Sequence, residues 1–183
     1  FTAAAATSGV ALDMSGWTGI TAADTASGLV TARSGTTLRA LNAELSGLGL
    51  AMANLGDIDA QTLAGALSTG THGTGARLGG LATQVEALEL VLADGSVVAC
   101  SASCRPELFA AARVGLGALG VIRAVTLRCV PSFTLLADVT GDRLRPSGGP
   151  EQAERPADPR RLADLARALG ETGPKGDRAA AAR

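Results

Sequence analysis

Asp57-Ile58-Asp59-Ala60-Gln61-Thr62-Leu63-Ala64-Gly65-Ala66-Leu67-Ser68-Thr69-Gly70-Thr71-His72-Gly73-Thr74-Gly75 is the stretch on which the reading of this chain turns. Between Gly65 and Gly75 stand four glycines, one serine, three threonines and the only histidine of the protein. Such a run makes a poor core helix or strand, because interior glycines weaken both and short hydroxyl side chains compete for backbone partners. It suits a loop that binds a polyanion. Glycines let the backbone approach a ligand and take positive φ, consecutive N–H groups form a concave anion site, and hydroxyls add donors. The run reads as a pyrophosphate cradle for a dinucleotide. A plain Gly/Ser/Thr surface loop shares this composition. The amphipathic stretch before it, the hairpin after it, and the absence of Pro and of charge up to Arg77 favour a shaped site.

On the N-terminal side, Val10 to Asp13 and Trp17 to Ile20 read as short strand pieces around the Ser15-Gly16 turn, and Gly28 to Ala32 as a further strand. Thr36 or Thr37 caps a helix whose Leu38, Leu41, Leu45 and Leu48 recur at helical spacing, with Gly47 and Gly49 ending it. That stripe is core. Ala51 to Leu55 is a connector, and Thr62 to Leu67 forms one or two helical turns with Leu63 and Leu67 on one face.

On the C-terminal side, Val85 to Ala93 and Val97 to Cys100 read as paired strands around Asp94-Gly95, the strongest turn signal in the chain. Pro106-Glu107 opens a helix carrying Leu108, Phe109 and Ala112. Gly115 to Gly120 matches the G-x-G-x-x-G dinucleotide fingerprint by letter. The fingerprint requires a strand before it and a helix after it. Here a helix precedes, and Val121 to Val130 follows as an alternating β-branched strand ended by Pro131, so that reading is rejected. From Thr140 the chain is rich in Gly, Pro and charge, with Leu162, Leu165 and Leu169 as one short amphipathic helix, and reads as a flexible tail.

Bulk properties narrow the classes. The 183 residues suffice for one domain with a core. The net charge of −1 offers no electrostatic case for nucleic acid or an anionic membrane. Aromatic residues are limited to Phe1, Trp17, Phe109 and Phe133, which disfavours base stacking. No apolar run is long enough to span a bilayer. No signal peptide is visible, and a start at Phe1 reads as a cut or processed end. Cys100, Cys104 and Cys129 with one histidine fall short of a zinc ligand set, so no metal site is expected, and small thiols in a reducing compartment are the default.

The order of signals carries more than any one of them. Asn54-Leu55-Gly56-Asp57-Ile58 is followed by Gln61-Thr62-Leu63-Ala64-Gly65 and Ser68-Thr69-Gly70-Thr71-His72-Gly73-Thr74-Gly75. Leu88-Glu89-Leu90-Val91, the Asp94-Gly95 turn and Leu119-Gly120-Val121-Ile122 come next. Over about residues 1–133 this resembles the FAD-binding domain of the sugar-1,4-lactone oxidases. These are the D-arabinono- and L-gulono-1,4-lactone oxidases, with alditol oxidase as a near relative, in the vanillyl-alcohol oxidase (PCMH-type) flavoprotein superfamily.

The resemblance implies an α+β flavin domain over 1–133, with 134–183 as tail. It implies FAD contacts from Thr62, Gly65, Ser68, Thr69, Gly70, Thr71, His72 and Gly73 to the pyrophosphate and ribityl part, and from the Val121 and Ile122 backbone near the adenine. Val121 and Ile122 also read as strand core. His72 matches a loop position rather than a flavin-linking histidine, and a loop-ordering hydrogen bond is its expected role. In the family a Gly-x-Gly-His-Ser segment precedes a Phe-Thr like Phe1-Thr2, and an aromatic-rich substrate cap ending near His-Trp-x-Lys follows. Neither is in this sequence, so the first phosphate-loop subdomain and the cap are expected to be lacking, with no catalytic residue on this chain. The implied parent oxidises the hydroxyl beside the carbonyl of a sugar 1,4-lactone, with dioxygen as acceptor and hydrogen peroxide as product. Alditol oxidation and a non-catalytic nucleotide-binding remnant stay open. The implied location is cytoplasmic, although some family members are membrane-associated.

Overall fold

The computed structural model of the chain describes residues 8, 9 and 11–135. The chain divides into two compact units, and every described residue lies in the first, residues 1–136. The expected Leu162–Leu169 helix lies outside the described residues.

The framework is a five-stranded antiparallel sheet. Its strands are β1 (Ile20–Asp24), β2 (Leu29–Arg33), β4 (Val85–Val91), β5 (Val97–Ser101) and β6 (Val121–Arg128), in the order β1-β2-β6-β4-β5. A separate pair joins β3 (Leu50–Ala51) to β7 (Val130–Pro131). The helices are α1 (Leu38–Gly47), α2 (Leu63–Ser68) and α3 (Pro106–Ala112). This is the expected α+β class.

Strand alternation decides which sheet face is buried. Val30, Ala32, Leu88, Leu90, Ile122, Val125 and Leu127 form the core face, with the apolar residues of all three helices in the same cluster. Thr31, Arg33, Glu89 and Thr126 stand on the open face. Thr37 is the N-cap of α1, its side chain accepting from the Ala40 N–H at 3.2 Å. The β4–β5 hairpin closes as its turn signal predicts. Asp94 accepts from the Ser96 N–H at 2.9 Å, and Gly95 takes φ +81°.

Five expectations are corrected. Ala11 to Asp13 is not a strand, because the Asp13 carboxylate accepts from the Ser15 N–H at 2.8 Å and starts a turn. Trp17 is in that turn too, its N–H donating to the Met14 carbonyl at 2.9 Å, so β1 begins only at Ile20. Leu48 follows the leucine spacing but caps the helix from outside, and it is 40% exposed. The Ala51–Leu55 connector begins inside β3, whose partner strand contains Pro131. The strand expected over Val121–Val130 stops at Arg128, and Pro131, expected to end it, belongs to β7 and pairs with Leu50.

Candidate functional site

The glycine-rich run starts from a well-anchored helix. Thr62 is the N-cap of α2 and accepts from the Gly65 N–H at 3.2 Å. The Leu63 N–H donates to the Thr36 carbonyl at 2.8 Å and the Ala64 N–H to the Ser34 carbonyl at 3.0 Å. The Ser34 N–H in turn donates to the Arg123 carbonyl at 3.2 Å, so the start of α2 is tied to the sheet. Leu63, Ala66 and Leu67 are fully buried beneath it.

The helix ends in a Schellman cap. Gly70 has φ +69°, its N–H donates to the Leu67 carbonyl at 3.0 Å, and the Thr71 N–H donates to the Ala66 carbonyl at 2.9 Å. The N–H and hydroxyl of Thr69 both turn back to the Gly65 carbonyl, at 3.2 and 2.9 Å. Thr69, Gly70 and Thr71 therefore spend their backbone donors on the helix end. This changes the role expected for Gly70: its left-handed conformation serves the cap, and its N–H is not available to a phosphate.

The donors that remain lie just beyond. Among the described residues, the N–H groups of His72, Gly73, Thr74 and Gly75 have no hydrogen-bond partner. Four consecutive unpaired donors are the makings of an anion-binding concavity. Within the loop's own sequence no carboxylate opposes a negative ligand. No acidic residue occurs between Gln61 and Glu86, and the one charged side chain in that interval is Arg77. Asp59, just upstream, is neutralised by Arg39 through two contacts at 2.9 and 3.1 Å, and this pairing holds its carboxyl below the usual range.

The free segment is shaped from behind by residues 53–56. A Cβ on Gly73 would overlap the Leu55 carbonyl and come within 2.5 Å of Asn54 Oδ1. A Cβ on Gly56 would lie 3.0 Å from Thr71 Cγ2. Glycine at both positions lets the two backbones lie against each other. Gln84, a buried polar residue, fixes the bracing segment from both sides. It accepts from the Ala53 N–H at 2.9 Å and donates to the Asn54 carbonyl at 2.7 Å. Asn54 reaches the far side of the loop, donating to the Gly79 carbonyl at 3.2 Å. The Leu81 N–H closes the loop by donating to the Thr71 carbonyl at 2.9 Å. Gln84 carried no sequence signal: a lone glutamine before a strand is indistinguishable from a surface residue. Asn54 appeared only as part of the family pattern.

His72 is exposed, and its Nδ1 lies 3.0 Å from its neighbour's carbonyl, Gly73 O. A hydrogen bond there requires the proton on Nδ1. Thr71 Oγ1 donates to Gln61 Oε1 at 3.2 Å.

Ser68 meets the 114–120 turn: its carbonyl accepts from the Leu116 N–H at 3.3 Å. Val114 Cγ1 would sit 3.4 Å from a Cβ on Gly70. Val121 and Ile122 begin β6 at the end of that turn, opposite Val91 and Leu90. Ile122 is in the core, and among the described residues no hydrogen bond joins Val121 or Ile122 to residues 62–75. The turn itself presents Val114, Leu116 and Leu119 to solvent, at 50, 69 and 39% exposure. The loop thus offers donors for a pyrophosphate with an apolar ledge beside it, which fits an amphipathic dinucleotide.

Comparison with known proteins agrees in kind. Residues 1–101 match a family described as FAD binding domain. The chain is 46% identical over 135 residues to an L-gulono-1,4-lactone dehydrogenase of Mycobacterium tuberculosis, covering 74% of this chain and 31% of that protein. It is 51% identical over 107 residues to the L-gulonolactone oxidase of Mus musculus, covering 58% of this chain and 24% of that protein. A crystal structure of 6-hydroxy-D-nicotine oxidase from Arthrobacter nicotinovorans superposes with a TM-score of 0.58 at 28% identity, covering 66% of this chain and 26% of that one. The chain spans about a third or less of the length of the curated relatives it matches. Among the described residues no helix is long and apolar enough to cross a membrane, and no three His, Cys, Asp or Glu side chains cluster as metal ligands.

Proposed function

The chain belongs to the FAD binding domain family, in the vanillyl-alcohol oxidase-type fold, and from that membership we propose that residues 1–133 hold FAD in a protein that oxidises a sugar 1,4-lactone. The observation that carries the reading is the run of four unpaired N–H groups from His72 to Gly75, braced by Gly56 and Gly73. In this reading His72 to Gly75 donate to the pyrophosphate, and the Ser68 and Thr69 side chains flank it. Thr62, Gly65, Gly70 and Thr71 hold the loop in shape, and Val121 and Ile122 lie towards the adenine end.

FAD, when bound, would supply the two-electron redox chemistry that oxidation of a lactone hydroxyl requires. The described residues would do the binding, orienting the cofactor through the backbone donors of His72 to Gly75. The lactone is of the L-gulono or D-arabinono type, by the resemblance and by the names of the similar proteins. Dioxygen is the proposed acceptor, giving hydrogen peroxide, although the similar proteins carry both dehydrogenase and oxidase names. The three free thiols suit a cytoplasmic location.

The test is a titration of the purified chain with FAD, followed by quenching of flavin fluorescence, and then lactone addition to the parent protein without oxygen. Saturable FAD binding, and bleaching of the oxidised flavin band by L-gulono- or D-arabinono-1,4-lactone, are expected. Absence of FAD binding refutes the cradle. Bleaching by alditols and not by lactones refutes the substrate.

A further inference from the structure

The open face of the sheet carries a second arrangement that the flavin reading does not use. β6 bulges against β4: Glu89 pairs with Ala124 and Leu90 with Ile122, leaving Arg123 as the extra residue. A bulge re-aims a side chain, and here it sends Arg123 to the open face beside Arg33 and Glu89. The small side chain of Ala124 leaves a hollow between them. The result is a cleft of about 180 Å³ lined by Trp17, Arg33, Arg123 and Glu89 together with Thr21 and Thr31.

Trp17 organises the two cations. Arg33 lies over its ring at 4.4 Å from the centroid and Arg123 at 5.5 Å, while the indole N–H donates to the Arg123 carbonyl at 3.0 Å. The charges do not balance. Arg123 is paired with Glu89 at 2.7 Å. Among the described residues Arg33 has only a neutral hydrogen-bond partner, the Thr18 carbonyl at 3.2 Å, and its buried Nε–H has none. Among the described residues this half-buried guanidinium has no counter-charge, which is costly, and a bound anion is one way to offset that cost.

We propose that this cleft binds a single carboxylate, with Arg33 as its principal cation. One uncompensated positive charge matches a monoanion. The Glu89 carboxylate in the wall opposes a phosphate dianion. A planar carboxylate also fits the guanidinium fork. The carboxylate comes either from a small free acid or from an aspartate or glutamate side chain of a protein segment.

Trp17 is the only tryptophan and there is no tyrosine, so intrinsic fluorescence reports on the cleft alone. The full chain, free of flavin, is titrated at constant ionic strength with acetate, N-acetylaspartate N-methylamide, phosphate or chloride. Saturable change with acetate, and none with chloride or phosphate, is expected. An equal or tighter response to the capped aspartate assigns the site to a protein side chain, and its exclusion assigns it to a free acid. Arg33→Gln weakens acetate about tenfold or more, the loss of one charged hydrogen bond, and Arg33→Lys recovers part of the response. Linear, non-saturating change in the wild type, the same response to chloride or phosphate, or an unaltered Arg33→Gln titration overturns the proposal. If Arg33→Gln does not fold, the wild-type comparison between anions still decides.

Discussion

Gly70 and Gly73 look interchangeable in the sequence, yet they do different work. Gly70 sits at φ +69° as the helix cap, with only the Val114 side chain near its missing Cβ, at an ordinary 3.4 Å. Alanine there fits the space but must adopt a left-handed conformation, at a cost of about 1–2 kcal/mol. Gly73 faces the Leu55 carbonyl and Asn54 Oδ1, so alanine there pushes two backbones apart at the proposed phosphate site. Gly70→Ala should lower the melting temperature by about 4 °C or more while leaving FAD affinity within a few-fold once folded. Gly73→Ala should lose most FAD affinity. Thermal melts paired with flavin-quenching titrations distinguish the two, and equal loss of affinity in both would return Gly70 to the phosphate site. The sequence marks residues 65–75 as a glycine-rich stretch suited to an anion, of which 65–68 belong to α2. It does not show which glycine caps and which binds, because that depends on the backbone of residues 53–56, which the chain brings there only on folding.

At the scale of elements, periodicity and capping made most of the fold legible: the leucine spacing of α1 and its threonine cap, the turns of α2, the Asp94-Gly95 hairpin and the alternation of β6. What escaped is non-local. The β3–β7 pair joins two residues with two others about eighty positions away, too short to leave a pattern. The bulge at Arg123 needs the register of β4, and Leu48 keeps the helical spacing although α1 has already ended at Gly47. Gln84 is the most consequential omission, since its side chain joins the strand-entry turn to the segment behind the loop. Gln84→Leu leaves the Ala53 N–H and the Asn54 carbonyl without these partners and should destabilise the chain by about 2 kcal/mol or more. Thr62→Ala loses one cap and should cost about 1 kcal/mol. Urea denaturation orders the two. A Gln84→Leu midpoint at or above that of Thr62→Ala would show that residues 53–56 are held by packing rather than by this clamp.

At the scale of the whole molecule, two thiols from different strands report on one core. Cys100 lies in the edge strand β5 opposite Leu88, and Cys129 follows β6, its N–H donating to the Gly28 carbonyl at 2.7 Å. Both are buried, at 1 and 5% exposure, whereas Cys104 is exposed. Burial pushes both thiols above their ordinary value, and the neighbouring Cys104 adds to the effect on Cys100. An acid whose folded value is raised keeps its proton in the native state and releases it on unfolding. Stability is therefore full below the unfolded thiol value, about pH 8.5, and declines as pH rises toward the folded values. The limiting slope is about 1.4 kcal/mol per pH unit for each thiol. The sequence has no tyrosine and a single lysine, Lys175, to add further slope in this window. Denaturation midpoints from pH 8 to 10 should thus fall more steeply for the wild type than for Cys129→Ala, by about one thiol's slope. A thiol reagent at pH 8 should consume one cysteine quickly, Cys104, and the other two together on unfolding. Equal slopes in the two proteins would mean that the Cys129 thiol ionises in place. Release of Cys100 at lower denaturant than Cys129 would mean that the β4–β5 edge opens before the rest of the sheet.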